Sequence, residues 1–197
     1  MIILNKKQFK KLIKLKKIHF FLNKKINLIS KNSLKKFYIN HIKYSLSIIY
    51  LIKFLPNSKI LDVGTGGGFP GIPLSIIFNK TKFYLLDSKK KKIYFLKKII
   101  KKLKLKNVKL INIRIENLYK KFDFLISRYF TNINNIYNIF KKNIKKKSIH
   151  YINNGIIYLT GEPKKNIKLI NNYYILYLKK YNNNIFFKKK KIIYIPI

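Results

Sequence analysis

Several residue types are scarce or missing in this sequence, and each absence excludes a class of chemistry. Cysteine is absent, which excludes disulfides, thiolate metal sites and cysteine nucleophiles and is compatible with a reducing compartment. No apolar run approaches the roughly 20 residues that a transmembrane helix requires. The lysine-rich segment Met1 to Phe21 also lacks the apolar stretch of a signal peptide. We therefore predict a cytoplasmic protein that does not contact membranes.

Acidic residues are rare, and the chain is strongly basic as a result. Aspartate and glutamate number five against 46 lysines and arginines, which gives a formal net charge of +41. Only Arg114 and Arg128 are arginines, alanine is absent and valine occurs twice, so a genome rich in A and T explains much of the lysine. The charge attracts polyanions whatever its origin. Nucleic acid is the predicted partner, although composition alone assigns no binding site.

The scarce glycines and acids are concentrated in one part of the chain. Five of the seven glycines fall between Gly64 and Gly71. Asp62 lies just before that segment and Asp87 follows it, in a chain with only five acidic residues. Because the rest of the sequence uses lysine and asparagine so heavily, this concentration predicts a functional site.

Hydrophobic strands alternate with helical segments along the chain, which predicts an α/β fold with a mostly parallel sheet. We predict one domain over residues 1–197, with a helical N-terminal cap at 1–55 and a cofactor-binding core at 56–197. The predicted helices are 5–22, one or two within 33–55, 72–78, 89–103 and 132–140. The predicted strands are 59–63, 82–87, 108–113, 122–127, 149–160 and two closing strands within 167–197.

The central motif is a short hydrophobic strand that ends in an acid and continues into a glycine-rich turn. The turn leads into a helix, and glycine there lets the backbone approach a nucleoside without a side-chain clash. Asp87 ends the next predicted strand, about 20 residues after Gly66, where a carboxylate can accept hydrogen bonds from both ribose hydroxyls. This spacing predicts a nucleoside-containing cofactor bound between the two strand ends.

Other interpretations of the glycine segment remain open on the residues alone. Gly66 to Gly71 match the dinucleotide fingerprint G-x-G-x-x-G, which is also typical of dehydrogenases. A glycine turn that only begins a helix is a third reading. Two features favour a methyltransferase: Asp62 stands where methyltransferases place an acid near the methionine part of the cofactor, and Gly64 and Thr65 separate the strand from Gly66.

The segment Asp62-Val-Gly-Thr-Gly-Gly-Gly-Phe-Pro-Gly-Ile-Pro-Leu74 resembles the signature of the RsmG (GidB) family, bacterial 16S ribosomal RNA guanine-N7 methyltransferases. The similarity extends from about residue 9 to residue 162 and includes Leu85-Leu-Asp-Ser88 and Arg114-Ile-Glu116. The resemblance implies a Rossmann-like class I fold with S-adenosyl-L-methionine as cofactor. It further implies methylation of one guanine in the decoding-region loop, in free 16S ribosomal RNA or in the small ribosomal subunit.

The resemblance also implies roles for individual residues. It places Gly64 and Phe69 on the methionine and adenosine side of the cofactor. By the same resemblance Ile115 and Glu116 flank the adenine, and Arg128 lies near the cofactor and the target base. No residue is assigned as catalytic, and no metal is expected. The full cofactor-binding set is Gly64, Phe69, Ile115, Glu116, Arg128, Asp62, Gly66 and Asp87.

The chemistry of guanine N7 agrees with the residues that are missing. Methylation of cytosine C5 requires a cysteine nucleophile, and enzymes for exocyclic amines usually carry an Asp/Asn-Pro-Pro-aromatic motif; the sequence has neither. N7 has a free lone pair at neutral pH, so alignment with the methyl group suffices and no general base is needed. The alternatives are an RNA-binding protein that retains the fold without turnover, and a methyltransferase for proteins or small molecules. We expect a monomer.

Overall fold

The computed structural model describes residues 3–24, 29–130, 133–161 and 172–197. Within these ranges the chain forms a seven-stranded sheet in the order β3-β2-β1-β4-β5-β7-β6. The strands are β1 Lys59–Val63, β2 Lys82–Leu86, β3 Val108–Ile111, β4 Phe124–Arg128, β5 Gly155–Thr160, β6 Tyr174–Tyr177 and β7 Lys191–Pro196. The α-helices are α1 Lys6–Asn23, α2 Lys31–Lys35, α3 Tyr44–Leu46, α4 Gly71–Ile77, α5 Lys90–Leu103 and α6 Ile133–Phe140.

Strands β1 to β5 run parallel, and β7 is antiparallel to both of its neighbours. The chain builds outward from β1 through β2 to β3, then returns to the other side of β1 with β4 and β5. The strand order therefore reverses between β1 and β4. In open α/β sheets, ligands bind outside the carboxyl ends of the strands at such a switch point.

Hydrophobic residues cover both faces of the sheet. Ile60 of β1 belongs to the core on the face that the N-terminal helices cover, together with Leu15 of α1. Leu61, the next residue of β1, belongs to the core on the opposite face with Ile136 of α6. This alternation is the period of a strand that is buried on both sides. The N-terminal helices thus share one core with the sheet.

The N-terminal cap begins with a regular helix and continues through short pieces. Helix α1 starts at a capping box, in which the Asn5 side chain accepts from the Gln8 amide at 2.9 Å and the Gln8 side chain accepts from the Asn5 amide at 3.0 Å. The helical segment predicted within 33–55 is divided into α2, a π-helix at Tyr38–Lys43, α3 and a 3-10 turn at Ser47–Tyr50.

Two serines contribute to the irregularity of this segment. Ser45 Oγ donates to His41 O at 2.5 Å, and Ser47 Oγ donates to Tyr44 O at 2.6 Å. Hydroxyls that bond to carbonyls one turn earlier compete with the backbone and favour irregular helices.

The C-terminal part of the sheet agrees with the predicted pattern except at strand ends. Two closing strands form, although residues 167–171 of the predicted region lie outside the described residues. The strand predicted at 149–160 begins only at Gly155. The side chain of Asn154 explains the later start. Its Nδ2 donates to Lys145 O at 3.0 Å and to Lys147 O at 2.7 Å and so holds the preceding residues in a loop. The third strand, predicted to reach residue 113, ends at Ile111.

Candidate active site

The glycine-rich loop leaves the carboxyl end of β1 and closes against the next strand. Gly64, Gly66 and Gly68 adopt the left-handed backbone region, which other residues enter at a cost. The Gly66 amide donates to Asp87 Oδ2 at 3.1 Å. A methyl group at Gly66 would find only Gly64 O and Lys92 Nζ within 4 Å. The loop therefore offers an open backbone surface beside Asp87.

Asp62 supports this loop from below. Its carboxylate is fully buried, and Oδ2 accepts hydrogen bonds from Thr65 Oγ1 at 2.6 Å and from the Gly71 amide at 2.8 Å. Oδ1 is buried without a hydrogen-bond partner. Burial raises the pKa of Asp62 to about 7, although the bonds from Thr65 and Gly71 and the charge of Arg128 act to lower it. A carboxyl group near half-ionisation therefore lies under the loop.

The raised pKa of Asp62 predicts a pH dependence of stability. The folded state holds the proton of the Asp62 carboxyl more tightly than the unfolded chain does. The stabilisation that results is fully present below about pH 4 and is lost as the pH rises to about 7. Between pH 5 and pH 7 the wild type should therefore lose about 2 kcal/mol of its free energy of unfolding through Asp62. Asp62→Asn has no group to titrate at this position and should not show this loss. Urea denaturation at a series of pH values measures the difference.

Titration of the buried histidines changes the stability in the opposite direction. Burial lowers the pKa of His41 to about 3 and also lowers the pKa of His19, so both favour folding as the pH rises toward 6.5. They are present in both proteins and cancel in the comparison. Parallel pH profiles for the two proteins would show that Asp62 is ionised throughout.

Asp87 follows β2 and faces the loop across the strand ends. Its side chain is buried, and Oδ2 accepts from Lys92 Nζ at 3.1 Å as well as from Gly66. Oδ1 accepts from the Lys89 amide at 3.1 Å. These bonds fix the carboxylate at the end of β2, and its role in binding a ribose stays a prediction. Lys92 shares the carboxylate with any ligand that binds there.

A cleft of about 440 Å³ opens beside Gly64 and Asp87 at the carboxyl ends of the strands. Five of the eight predicted site residues line it, and so do both arginines of the chain. Because only two of the 46 basic residues are arginine, the presence of both at one cleft indicates a functional site. The lining residues are Gly64, Leu86, Asp87, Ser88, Lys89, Lys92, Ile113, Arg114, Ile115, Glu116, Arg128, Tyr129 and Phe130.

Ile115 and Glu116 lie on the β3 side of the cleft. They begin a 3-10 turn that follows the strand, with Ile115 buried and Glu116 exposed. An apolar residue in the wall beside an exposed acid can accommodate the face and edge of a purine. Their role beside the adenine stays a prediction.

Arg128 ends β4 and links the cleft to the N-terminal cap. Its Nη1 donates to Asn40 O and its Nη2 donates to His41 Nδ1, both at 3.1 Å. The guanidinium carbon lies 5.3 Å from the centre of the Phe69 ring, within cation–π range. Burial lowers the pKa of Arg128, but a guanidinium stays charged at neutral pH. A fixed positive charge therefore stands in the cleft.

Phe69 lies behind this guanidinium. Its side chain is 3% exposed and packs against His19, Phe37 and His41, with ring centres 5.0, 5.6 and 4.6 Å away. Phe69, Asp62 and Gly66 are not among the cleft-lining residues. The buried side chains of Phe69 and Asp62 support the loop, whereas Gly66 belongs to the loop itself and lies beside Asp87. Their roles toward a cofactor stay predictions.

Sequence reasoning missed His41 as a member of the site. Because Arg128 donates to Nδ1, the neutral ring carries its proton on Nε2 and donates it to Ser33 Oγ at 2.8 Å. His41 thus connects α2 to the guanidinium. The sequence also gave no signal for Lys92, Tyr129 or Phe130, although the rule that ligands bind beyond parallel strand ends draws attention to residues after β2 and β4.

The described residues contain no group of three or more histidine and acidic side chains that could hold a metal ion. In the same ranges, every helix is too short or too polar to cross a membrane.

The glycine loop, the carboxylate after β2 and the cleft at the switch point define a Rossmann-like enzyme of the methyltransferase class. Solved structures agree on the fold. An MtNAS variant in complex with S-adenosylmethionine superimposes with a TM-score of 0.60 at 14% identity, covering 97% of this chain and 72% of that one. The YcgJ protein from Bacillus subtilis gives a TM-score of 0.51 at 15% identity, covering 62% of this chain and 52% of that one.

Sequence comparison identifies the family within that class. The family model GidB, rRNA small subunit methyltransferase G, matches residues 8–185. Relatives named Ribosomal RNA small subunit methyltransferase G include one from Karelsulcia muelleri, 52% identical over 98% of this chain and 91% of its own length. Another, from Flavobacterium johnsoniae, is 41% identical over 89% of this chain and 84% of its own length. The chain belongs to the GidB family.

Family membership settles the alternatives that the residues left open. The predicted Rossmann-like fold, the S-adenosylmethionine cofactor and the class of ribosomal RNA methyltransferase are confirmed. A dehydrogenase, which the partial match of Gly66 to Gly71 allowed, is excluded.

Proposed function

We propose that this chain transfers a methyl group from S-adenosylmethionine to N7 of a guanine in 16S ribosomal RNA, at the cleft between β1, β2 and β4. One observation carries the proposal: Gly64, Asp87, Glu116 and Arg128, which are far apart in sequence, surround a single cleft at the switch point of the sheet. Membership in the GidB family supports the substrate class.

The residues present fit the cofactor. Its ribose hydroxyls require a fixed acceptor, which Asp87 provides, and its nucleoside requires a backbone without side chains, which the loop at Gly66 provides. The adenine would lie against Ile115 with Glu116 at its edge. The buried Oδ1 of Asp62 still lacks a partner, and a cationic amino group is one that would also lower the pKa of this carboxyl. When bound, the cofactor supplies an electrophilic methyl group on a positively charged sulfur.

The protein's part in the reaction is positioning. Guanine presents N7 and O6 as acceptors on one edge, and N7 must stay free to attack the methyl carbon. Arg128 uses only part of its five N–H donors on Asn40 and His41, so a remaining N–H can donate to O6 and orient the base. The positive charge moves from sulfur to the purine, and no proton is transferred. Alignment of this kind can contribute about 7–11 kcal/mol.

The product itself tests the proposal. N7 methylation gives the purine a positive charge and makes the site labile to borohydride reduction and aniline cleavage. We expect the protein to create one such cleavage site in the decoding-region loop of 16S ribosomal RNA from a strain that lacks the enzyme. Primer extension maps the cut, with mock-treated RNA as control. A methyl group on a ribose, a pyrimidine or an exocyclic amine would contradict the assignment to N7.

Incubation with both free ribosomal RNA and small subunits tests which of them is the substrate. We further propose that the chain acts as one domain, since the N-terminal helices share a core with the sheet. Its relatives are named as ribosomal RNA methyltransferases, which supports the cytoplasm as the compartment. The expected monomer stays a prediction, which light scattering at assay concentration checks.

A further inference from the structure

The residue after Arg128 has an unusual backbone. Among the described residues, three that are not glycine have a positive φ: Asn57, Lys104 and Tyr129. Asparagine tolerates this region, and Lys104 ends helix α5, where the left-handed conformation is common. Neither explanation applies to Tyr129, whose φ is 52°. A bulky residue in the left-handed region is a true outlier. Such backbone outliers cluster at functional sites.

The unusual backbone places an aromatic ring at the cleft. Tyr129 lines the cleft and keeps 52% of its surface exposed. Its hydroxyl accepts a hydrogen bond from Lys190 Nζ at 2.5 Å, and the same ammonium lies 5.1 Å from the ring centre. Tyr44 lies against the ring as well, with centres 6.2 Å apart. The ring is therefore held by two neighbours while half of its surface faces solvent.

The other aromatic residue of the cleft is engaged elsewhere. Phe130 covers the glycine loop so closely that a Cβ at Gly64 would overlap its ring. It also packs against Phe140 of α6, with ring centres 5.7 Å apart. Among the residues that the structure describes, Tyr129 and Phe130 are the only aromatic ones that line the cleft. Of the two, Tyr129 has the freer face.

We propose that Tyr129 is the platform on which the target guanine stacks, with Lys190 fixing the ring and attracting the adjoining phosphate. The inference rests on the proposed function and adds a substrate-positioning residue to it. Enzymes that modify a base in RNA take it out of its stack and hold it against aromatic side chains. Arg128 and Tyr129 line the same cleft and both lie beside Tyr44, with the guanidinium carbon 6.0 Å and the Tyr129 ring centre 6.2 Å from the Tyr44 ring centre. A guanine on Tyr129 would therefore lie near the guanidinium that is proposed to bind O6.

Kinetics of Tyr129→Ala and Tyr129→Phe test the platform. Stacking contributes to binding before and during methyl transfer, so Tyr129→Ala should raise the KM for RNA by about tenfold and leave kcat nearly unchanged. Tyr129→Phe keeps the ring and should stay within about threefold of the wild type. The dissociation constant of S-adenosylmethionine, measured by calorimetry, should be the same for all three proteins.

A second variant separates the backbone from the ring. Tyr129→Gly relieves the left-handed strain and should unfold at no lower temperature than the wild type, yet it should show the same rise in KM as Tyr129→Ala. The matched control is Tyr94→Ala on α5. Tyr94 is 57% exposed with Lys98 Nζ 4.3 Å from its ring centre, but it does not line the cleft. This control should leave KM unchanged.

Three results would overturn the platform. They are a KM for Tyr129→Ala within about twofold of the wild type, a phenylalanine variant as defective as the alanine variant, or weakened cofactor binding in Tyr129→Ala. The last would assign the ring to the cofactor. Failure of the proposed function looks different, because the wild-type protein itself would then yield no 7-methylguanosine.

Discussion

Replacing Arg128 with methionine is expected to lower the rate of methyl transfer by about 10- to 150-fold. The hydrogen bond proposed to guanine O6 involves a charged group and contributes about 1.5–3 kcal/mol, which corresponds to this range. The bonds to Asn40 O and His41 Nδ1 hold the guanidinium in place for it. Methionine fills a similar volume over Phe69 but carries no donor. Single-turnover transfer of a radiolabelled methyl group to deproteinised 16S ribosomal RNA measures the change.

The chain supplies a matched control for this experiment. Arg114 is the only other arginine and lines the same cleft, but it is exposed. Arg114→Met should therefore lose much less activity, while Arg128→Lys, which keeps the charge without the planar fork, should fall between the two. Circular dichroism and a melting curve check that each variant folds. A folded Arg128→Met protein with wild-type activity would remove Arg128 from the reacting centre.

Asp87→Ala should weaken S-adenosylmethionine binding by about 10- to 150-fold, the equivalent of roughly 1.5–3 kcal/mol for hydrogen bonds to a charged acceptor. The carboxylate is fixed by the amides of Gly66 and Lys89, so it can accept the ribose hydroxyls without rearrangement. Calorimetry with the cofactor alone gives the dissociation constant. RNA plays no part in this measurement, so the result is independent of the methylation assay.

Lys92→Met is the informative companion to Asp87→Ala. Lys92 Nζ lies 3.1 Å from Asp87 Oδ2 and is partly exposed, so the pair contributes little to stability. Removing the ammonium leaves the carboxylate free for the ribose, and cofactor binding should be equal to or tighter than in the wild type.

Unchanged affinity in a folded Asp87→Ala protein would contradict the ribose-binding role. Glu116→Ala should have a smaller effect, because Glu116 is exposed.

The parts of the fold that were predictable depend on local sequence. The strand of residues 59–63, the glycine loop and the acid after β2 follow one another within 29 positions, from Lys59 to Asp87, and each has a pattern of its own. Parallel strands bring their carboxyl ends to one edge of the sheet, so the meeting of Gly66 and Asp87 could be predicted from order alone.

The contacts that could not be predicted join distant segments through single atoms. Arg128 reaches Asn40 O across 88 positions, and His19 Nε2 lies 2.8 Å from Gly67 O across 48. No periodicity encodes such pairs. The burial of Phe69 could not be predicted for the same reason. Its motif predicts a cofactor contact, but its burial depends on α1 and on the π-helix, which pack on it from elsewhere in the chain.

The strand order of the sheet also determines the sequence in which it can be assembled. Strand β6 pairs only with β7, and β7 in turn occupies the place beside β5. During synthesis β6 leaves the ribosome before β7, so it cannot join the sheet until β7 has followed it. The five parallel strands, β1 to β5, can therefore pair while the chain is still growing. The antiparallel strands β6 and β7 are added to the sheet afterwards.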